Sequence, residues 1–101
     1  MNEHKLLIKT RVIALTGEWT GWQFTARLNP PLGVLFDITS GDLERIVNGM
    51  AKIIISWNFV DENGQPLPAP SAEVMATYVT PDLMGAVSSA WVEEMTKVPP
   101  A

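Results

Sequence analysis

Trp57-Asn58-Phe59-Val60-Asp61-Glu62-Asn63-Gly64-Gln65-Pro66-Leu67-Pro68-Ala69-Pro70 is the stretch on which the fold of this chain turns. A long apolar helical pattern stops there, reverses, and gives way to a crossing bracketed by prolines. Asp61-Glu62-Asn63-Gly64 is a turn signal, because Asn and Gly tolerate positive φ and an Asn-Gly pair suits the centre of a type I′ turn. The flanking apolar residues then pair as a short hairpin. Pro66, Pro68 and Pro70 each fix φ near about −65° and bias the preceding residue away from helix, so the segment runs extended. Pro66-Leu67-Pro68 is read as an ordered crossover. A polyproline ligand is the competing reading, weakened by the shortness of the motif.

Upstream of the turn, Leu43, Ile46, Val47, Met50, Ile53, Ile54 and Trp57 recur at spacings of three and four, the stripe of an amphipathic central helix over about 41–56. Thr39 or Ser40 can cap it, with Asp42 and Glu44 in a first turn that favours negative charge. Gly49 weakens the helix by roughly 1 kcal/mol relative to Ala unless a neighbouring element packs closely against it. Ile53-Ile54-Ile55 is β-branched, so the last turn can instead begin an extended run into Trp57. Before this helix, Asn29-Pro30-Pro31 ends a strand, and Leu32 to Ile38 fits either a short strand or a helical turn, with helix favoured.

The N-terminal third reads as a β-hairpin over about 4–28. Leu6, Ile8, Val12 and Ala14 occupy even positions, while Lys5, Lys9 and Arg11 alternate with them like the wet face of a strand. Leu7, Ile13 and Leu15 blur that alternation. After Thr16-Gly17-Glu18-Trp19-Thr20-Gly21, the apolar positions resume at Trp22, Phe24, Ala26 and Leu28. Trp19 and Trp22 stand at the loop end, where an amphipathic ring either lids the core or meets a partner.

Downstream of the crossing, Ser71 can cap a short helix reaching Tyr78. Thr80-Pro81-Asp82 starts another, with a cap residue, a proline at the first helical position and an acid in the first turn. These C-terminal helices span about 71–97. Leu83, Met84, Val87, Trp91, Val92 and Met95 form the apolar stripe of the second, and Val98-Pro99-Pro100 stops it. The whole, residues 1–101, is expected to be one α+β domain with the hairpin packed on the central and C-terminal helices.

Composition bounds the function. A chain with 47% hydrophobic and 18% charged residues folds rather than staying disordered. Seven basic against eleven acidic residues give a net charge of −4, the wrong sign for a domain that gathers phosphate backbones. No cysteine is present for a disulfide or a thiolate zinc site. Neither a signal-peptide core nor a membrane-length apolar run is visible. The sole histidine, His4, has no cysteine or second histidine near it from which to build a metal site or a nucleophilic triad. Asp61 and Glu62 read as turn residues, and Glu93-Glu94 as a wet helix face, so no catalytic residue, metal ligand or cofactor is expected.

What remains is surface. Met50, Met75, Met84 and Met95, with four tryptophans, either fill the core or line a groove that accepts another apolar helix. The candidate partner-binding residues are Trp19, Trp22, Met84, Trp91 and Met95; Asp61, Asn63 and Gly64 are structural turn residues. If Trp91 and Met95 line the groove, making both polar abolishes binding and spares the fold; loss of folding assigns them to the core.

One resemblance covers nearly the whole chain in order. The Glu18-Trp19-Thr20-Gly21-Trp22 hairpin tip and the apolar helix running into Ser56-Trp57-Asn58-Phe59-Val60-Asp61-Glu62-Asn63-Gly64-Gln65-Pro66-Leu67-Pro68 come first. Pro81-Asp82-Leu83, Ala90-Trp91 and Val98-Pro99-Pro100-Ala101 follow. Together they resemble the small tail assembly chaperones of long-tailed, siphovirus-type bacteriophages or prophages. The resemblance implies a non-enzymatic protein of the host cytoplasm that acts on the tape measure protein, helps it meet tail-tube subunits, and is absent from the finished particle. It transfers no binding residues. Two rival expectations are a structural virion component, such as a tail-completion or head-to-tail joining protein, and a host-directed small acidic binding protein.

Overall fold

The computed structural model describes residues 6–97, so His4 and the helix stop at Val98-Pro99-Pro100 lie outside the described residues, as do the first positions of the expected hairpin. The order of elements is β1 (Thr10–Ala14), a single 3₁₀ turn (Gly17–Trp19), β2 (Gln23–Arg27), α1 (Leu32–Ile38), α2 (Leu43–Ile53), β3 (Ile54–Trp57), α3 (Ala72–Tyr78) and α4 (Pro81–Lys97). The class is α+β, with a three-stranded antiparallel sheet in the order β1-β2-β3. The helices cover one face of that sheet.

Two strand readings need correction. The alternation assigned to β1 is inverted: Ile13 and Leu15 are buried, whereas Leu6, Ile8, Val12 and Ala14 are exposed. The cause is the hairpin register, which sets Ile13 opposite Phe24 and Val12 opposite Thr25. Residues opposite one another share a face, and Phe24, Ala26 and Leu28 face the core as their own alternation requires. Arg11 therefore lies on the helix side, where its guanidinium meets the Glu94 carboxylate of α4 at 2.9 Å.

The second correction shortens the central helix. It ends at Ile53, not near 56, and the β-branched run continues as β3, the third strand of the sheet. A bulge between Thr25 and Ala26 shifts the pairing, so that Phe24 faces Trp57 but Ala26 faces Ile54. The bulge leaves Ile55 exposed.

The helix starts follow local chemistry. Asp42, rather than Thr39 or Ser40, is the α2 cap, its carboxylate accepting from the Arg45 N–H at 3.2 Å. Ser40 instead accepts from the Asp42 N–H. Ser71 caps α3 by accepting from the Val74 N–H, and the Thr80 hydroxyl receives the Leu83 N–H in the first turn of α4. Gly49 is buried where α1 crosses α2. A Cβ there would stand 2.8 Å from Ile38 Cγ1 and 3.3 Å from the Val34 carbonyl, so its missing side chain is what lets the two helices approach.

The deciding turn is a reversal of another type. Gly64 has φ of +79°, but neither Glu62 nor Asn63 does, so the centre is not a type I′ pair. The Gly64 N–H donates to the Asp61 carbonyl, and the Asp61 carboxylate accepts from the N–H groups of Asn63 and Gln65. Asp61 thus ties a loop with a left-handed glycine at its end, and Val60 pairs with Pro66 as an antiparallel bridge. The proline crossing is pinned by the Trp57 indole, which donates to the Pro68 carbonyl at 3.0 Å.

Candidate functional site

Where α2, α3 and the start of α4 meet, an open groove of about 670 Å³ runs over the surface. Three short-range features fix its walls. Asp42 starts α2 just ahead of Leu43, Ser71 starts α3 at Ala72, and Thr80 with Pro81 starts α4. Leu43 and Val47, one helical turn apart, form one wall, with Ala76 and Val79 on another. Met75 and Met84, both almost wholly buried, lie at the floor. Leu43 keeps 45% of its surface exposed although it belongs to the α2 stripe.

The rim is acidic. Glu44 and Glu73 line it, and neither Lys nor Arg does. Both acids sit in the first turns of their helices, as does Asp82 of α4. Each helix N-terminus carries only about half a positive charge, so a full carboxylate at each outweighs it and the rim stays negative. The Thr80 hydroxyl, hydrogen bonded to Asp82, holds that carboxyl below the usual aspartate range. Flexible thioethers below an apolar trough suit a segment of varied apolar side chains better than one rigid ligand.

The five candidate residues do not converge on this groove. Met84 alone reaches it, and as buried floor. Trp91 offers no surface: it is 0% exposed, and its indole N–H donates to the Arg27 carbonyl at 2.8 Å, tying α4 to the end of β2. Its place in the α4 stripe puts it over the sheet, so the reading of Met84 and Trp91 as an open face is corrected to core. Met95 is partly buried against the same core.

Trp19 and Trp22 form an aromatic cluster at the end of the sheet. Their rings meet edge to face at 5.3 Å, Trp22 lies 5.3 Å from Phe59, and Trp57 stacks on Phe59 at 4.9 Å. Asn58 locks this end, its amide donating to the Gly21 carbonyl and its side-chain oxygen accepting from the Gln23 N–H. The two tryptophans, both half-buried, lid the core here. Asp61, Asn63 and Gly64 stand in the turn as expected of structural residues.

Sequence reasoning missed Leu43, Val47, Ala76 and Val79. A usable signal was there: the α2 stripe begins at Leu43 and Val47, about two turns ahead of Met50 and Ile53, the large apolar residues that the helix buries. Among the described residues no group of His, Cys, Asp or Glu is arranged to hold a metal ion, and no helix is long and apolar enough to cross a membrane. The chain matches no family model, no curated protein and no solved structure.

Proposed function

We propose that this chain is a non-enzymatic tail assembly chaperone of a long-tailed bacteriophage or prophage, working in the host cytoplasm. It binds apolar segments of the tape measure protein until tail-tube subunits replace it. The observation that carries this reading is the acidic-rimmed apolar groove between α2, α3 and α4. A trough with Leu43 and Val47 on its wall and methionines below can hold a row of apolar side chains that would otherwise aggregate. Binding there shifts the tape measure segment toward its soluble state by mass action, with no chemistry required.

The test is co-expression with a tape measure fragment, scored by capture and by the fragment's solubility. Capture in soluble form supports the reading. A folded protein that leaves the fragment insoluble counts against it, and recovery of the chain from purified particles by mass spectrometry would move the assignment to a structural virion component.

A further inference from the structure

Two acids of the groove between α2, α3 and α4 stand without a counter-charge. Glu44 comes from the α2 wall and Glu73 from the α3 wall, and both are exposed. Among the described residues neither enters an ion pair: Arg11 bridges Glu94, Lys97 bridges Glu93 and Glu94, and Arg45 bridges Asp37. Arg45, the neighbour of Glu44, is thus spent on α1. Lys52, the other basic residue of α2, stands about 12 Å along the axis from Glu44 and does not line the groove. α3 has no basic residue, and α4 has only Lys97, in its last turn.

The walls also select the conformation of what lies between them. All three are helices, whose backbone N–H and C=O groups bond within the helix, so an extended segment entering the groove finds no strand edge to join. A helix arrives with its own backbone satisfied and can lay an apolar stripe against Leu43, Val47 and Val79. Because the two acids stand on different walls, basic residues are favoured along both borders of that stripe. We propose that the occupant of this groove is an amphipathic helix whose apolar stripe is bordered on both sides by Lys or Arg. The proposal rests on the reading of the groove as a site for apolar segments, but not on which protein supplies the helix.

Two labelled peptides of about 15 residues, long enough to hold a helix, test it against the full chain. Both carry the same stripe of Leu and Met; Lys borders it in one and Glu in the other. By fluorescence anisotropy the Lys peptide should bind at least about tenfold tighter at about 0.01 M salt. The gap should shrink at about 1 M, where screening cuts the reach of the rim charges from about 30 Å to about 3 Å. The double variant Glu44→Gln, Glu73→Gln should close most of the gap with circular dichroism unchanged. Glu18→Gln, Glu62→Gln, which removes the same charge from exposed acids away from the groove, should leave it. Equal binding of the two peptides, no binding of either, or the same loss from both double variants would overturn the proposal. A preference seated on Glu44 and Glu73 would stand even if the tape measure fragment were not captured. Capture of the fragment without that preference would keep the chaperone reading and remove this one.

Discussion

The helices α2 and α4 both carry apolar stripes, but the two are covered to different extents. α4 lies across the sheet and buries Leu83, Met84, Val87 and Trp91. α2 buries Gly49, Met50 and Ile53 in its second half, under α1, but leaves Leu43 and Val47 at its start facing the groove. The difference lies in what is available to cover each stripe. The sheet offers α4 a broad apolar face, whereas the short α3 can close only part of the front of α2. The size and chemistry of a side chain therefore do not mark which apolar residues stay open in this molecule; Trp91 is large and buried, and Leu43 is ordinary and exposed.

That contrast can be broken first at its strongest point. Trp91→Ala should cost about 3–5 kcal/mol in denaturant unfolding, because it removes a wholly buried ring and strands the Arg27 carbonyl. Full stability with lost binding would instead return Trp91 to the surface. Gly49→Ala comes next. The Cβ contact with Ile38 should outweigh the helix propensity of alanine and leave a net loss of about 1–2 kcal/mol. A stabilised variant would mean that α1 does not press on α2.

Asp42→Ala removes the α2 cap and should cost about 1 kcal/mol in the same unfolding measurement, loosening the groove wall without touching α4. The smallest effect is expected at the tie between α4 and β1. The Arg11 hydrogen bond, then the nearby Lys97 charge, hold the Glu94 carboxyl below the ordinary glutamate range. A depressed folded-state pKa contributes stability that is complete above the unfolded value and is lost as pH falls through the folded one. The stability gap between wild type and Glu94→Gln should therefore be present near neutrality and close in acid, below the usual glutamate pKa. A gap that widened on acidification would contradict this.

Much of the fold was legible because local signals agreed with tertiary ones. The α2 periodicity, the Thr80-Pro81-Asp82 start of α4 and the Trp22, Phe24, Ala26 and Leu28 alternation all reappear in the structure. β1 misled because Leu6, Leu7, Ile8, Val12, Ile13 and Leu15 place apolar residues on both phases. Only pairing with β2 chooses between them. The end of α2 was ambiguous for a related reason: Ile53-Ile54-Ile55 suits either state, and an open edge of β2 decided it. The groove was the least legible feature, since it is made of positions three separate helices leave uncovered, which no single stripe displays.

On the proposed function, Leu43 and Val47 at the front of α2, rather than Trp91 or Met95 of α4, meet the tape measure segment. The most direct test is to co-express a tape measure fragment with wild type and with the double variant Leu43→Glu, Val47→Glu, after circular dichroism has shown the variant folded. Soluble capture is expected with the wild type and its loss with the variant, where two carboxylates would sit in the apolar wall of an already acidic groove. Undiminished capture by the folded variant would contradict it and place the binding surface elsewhere on the molecule.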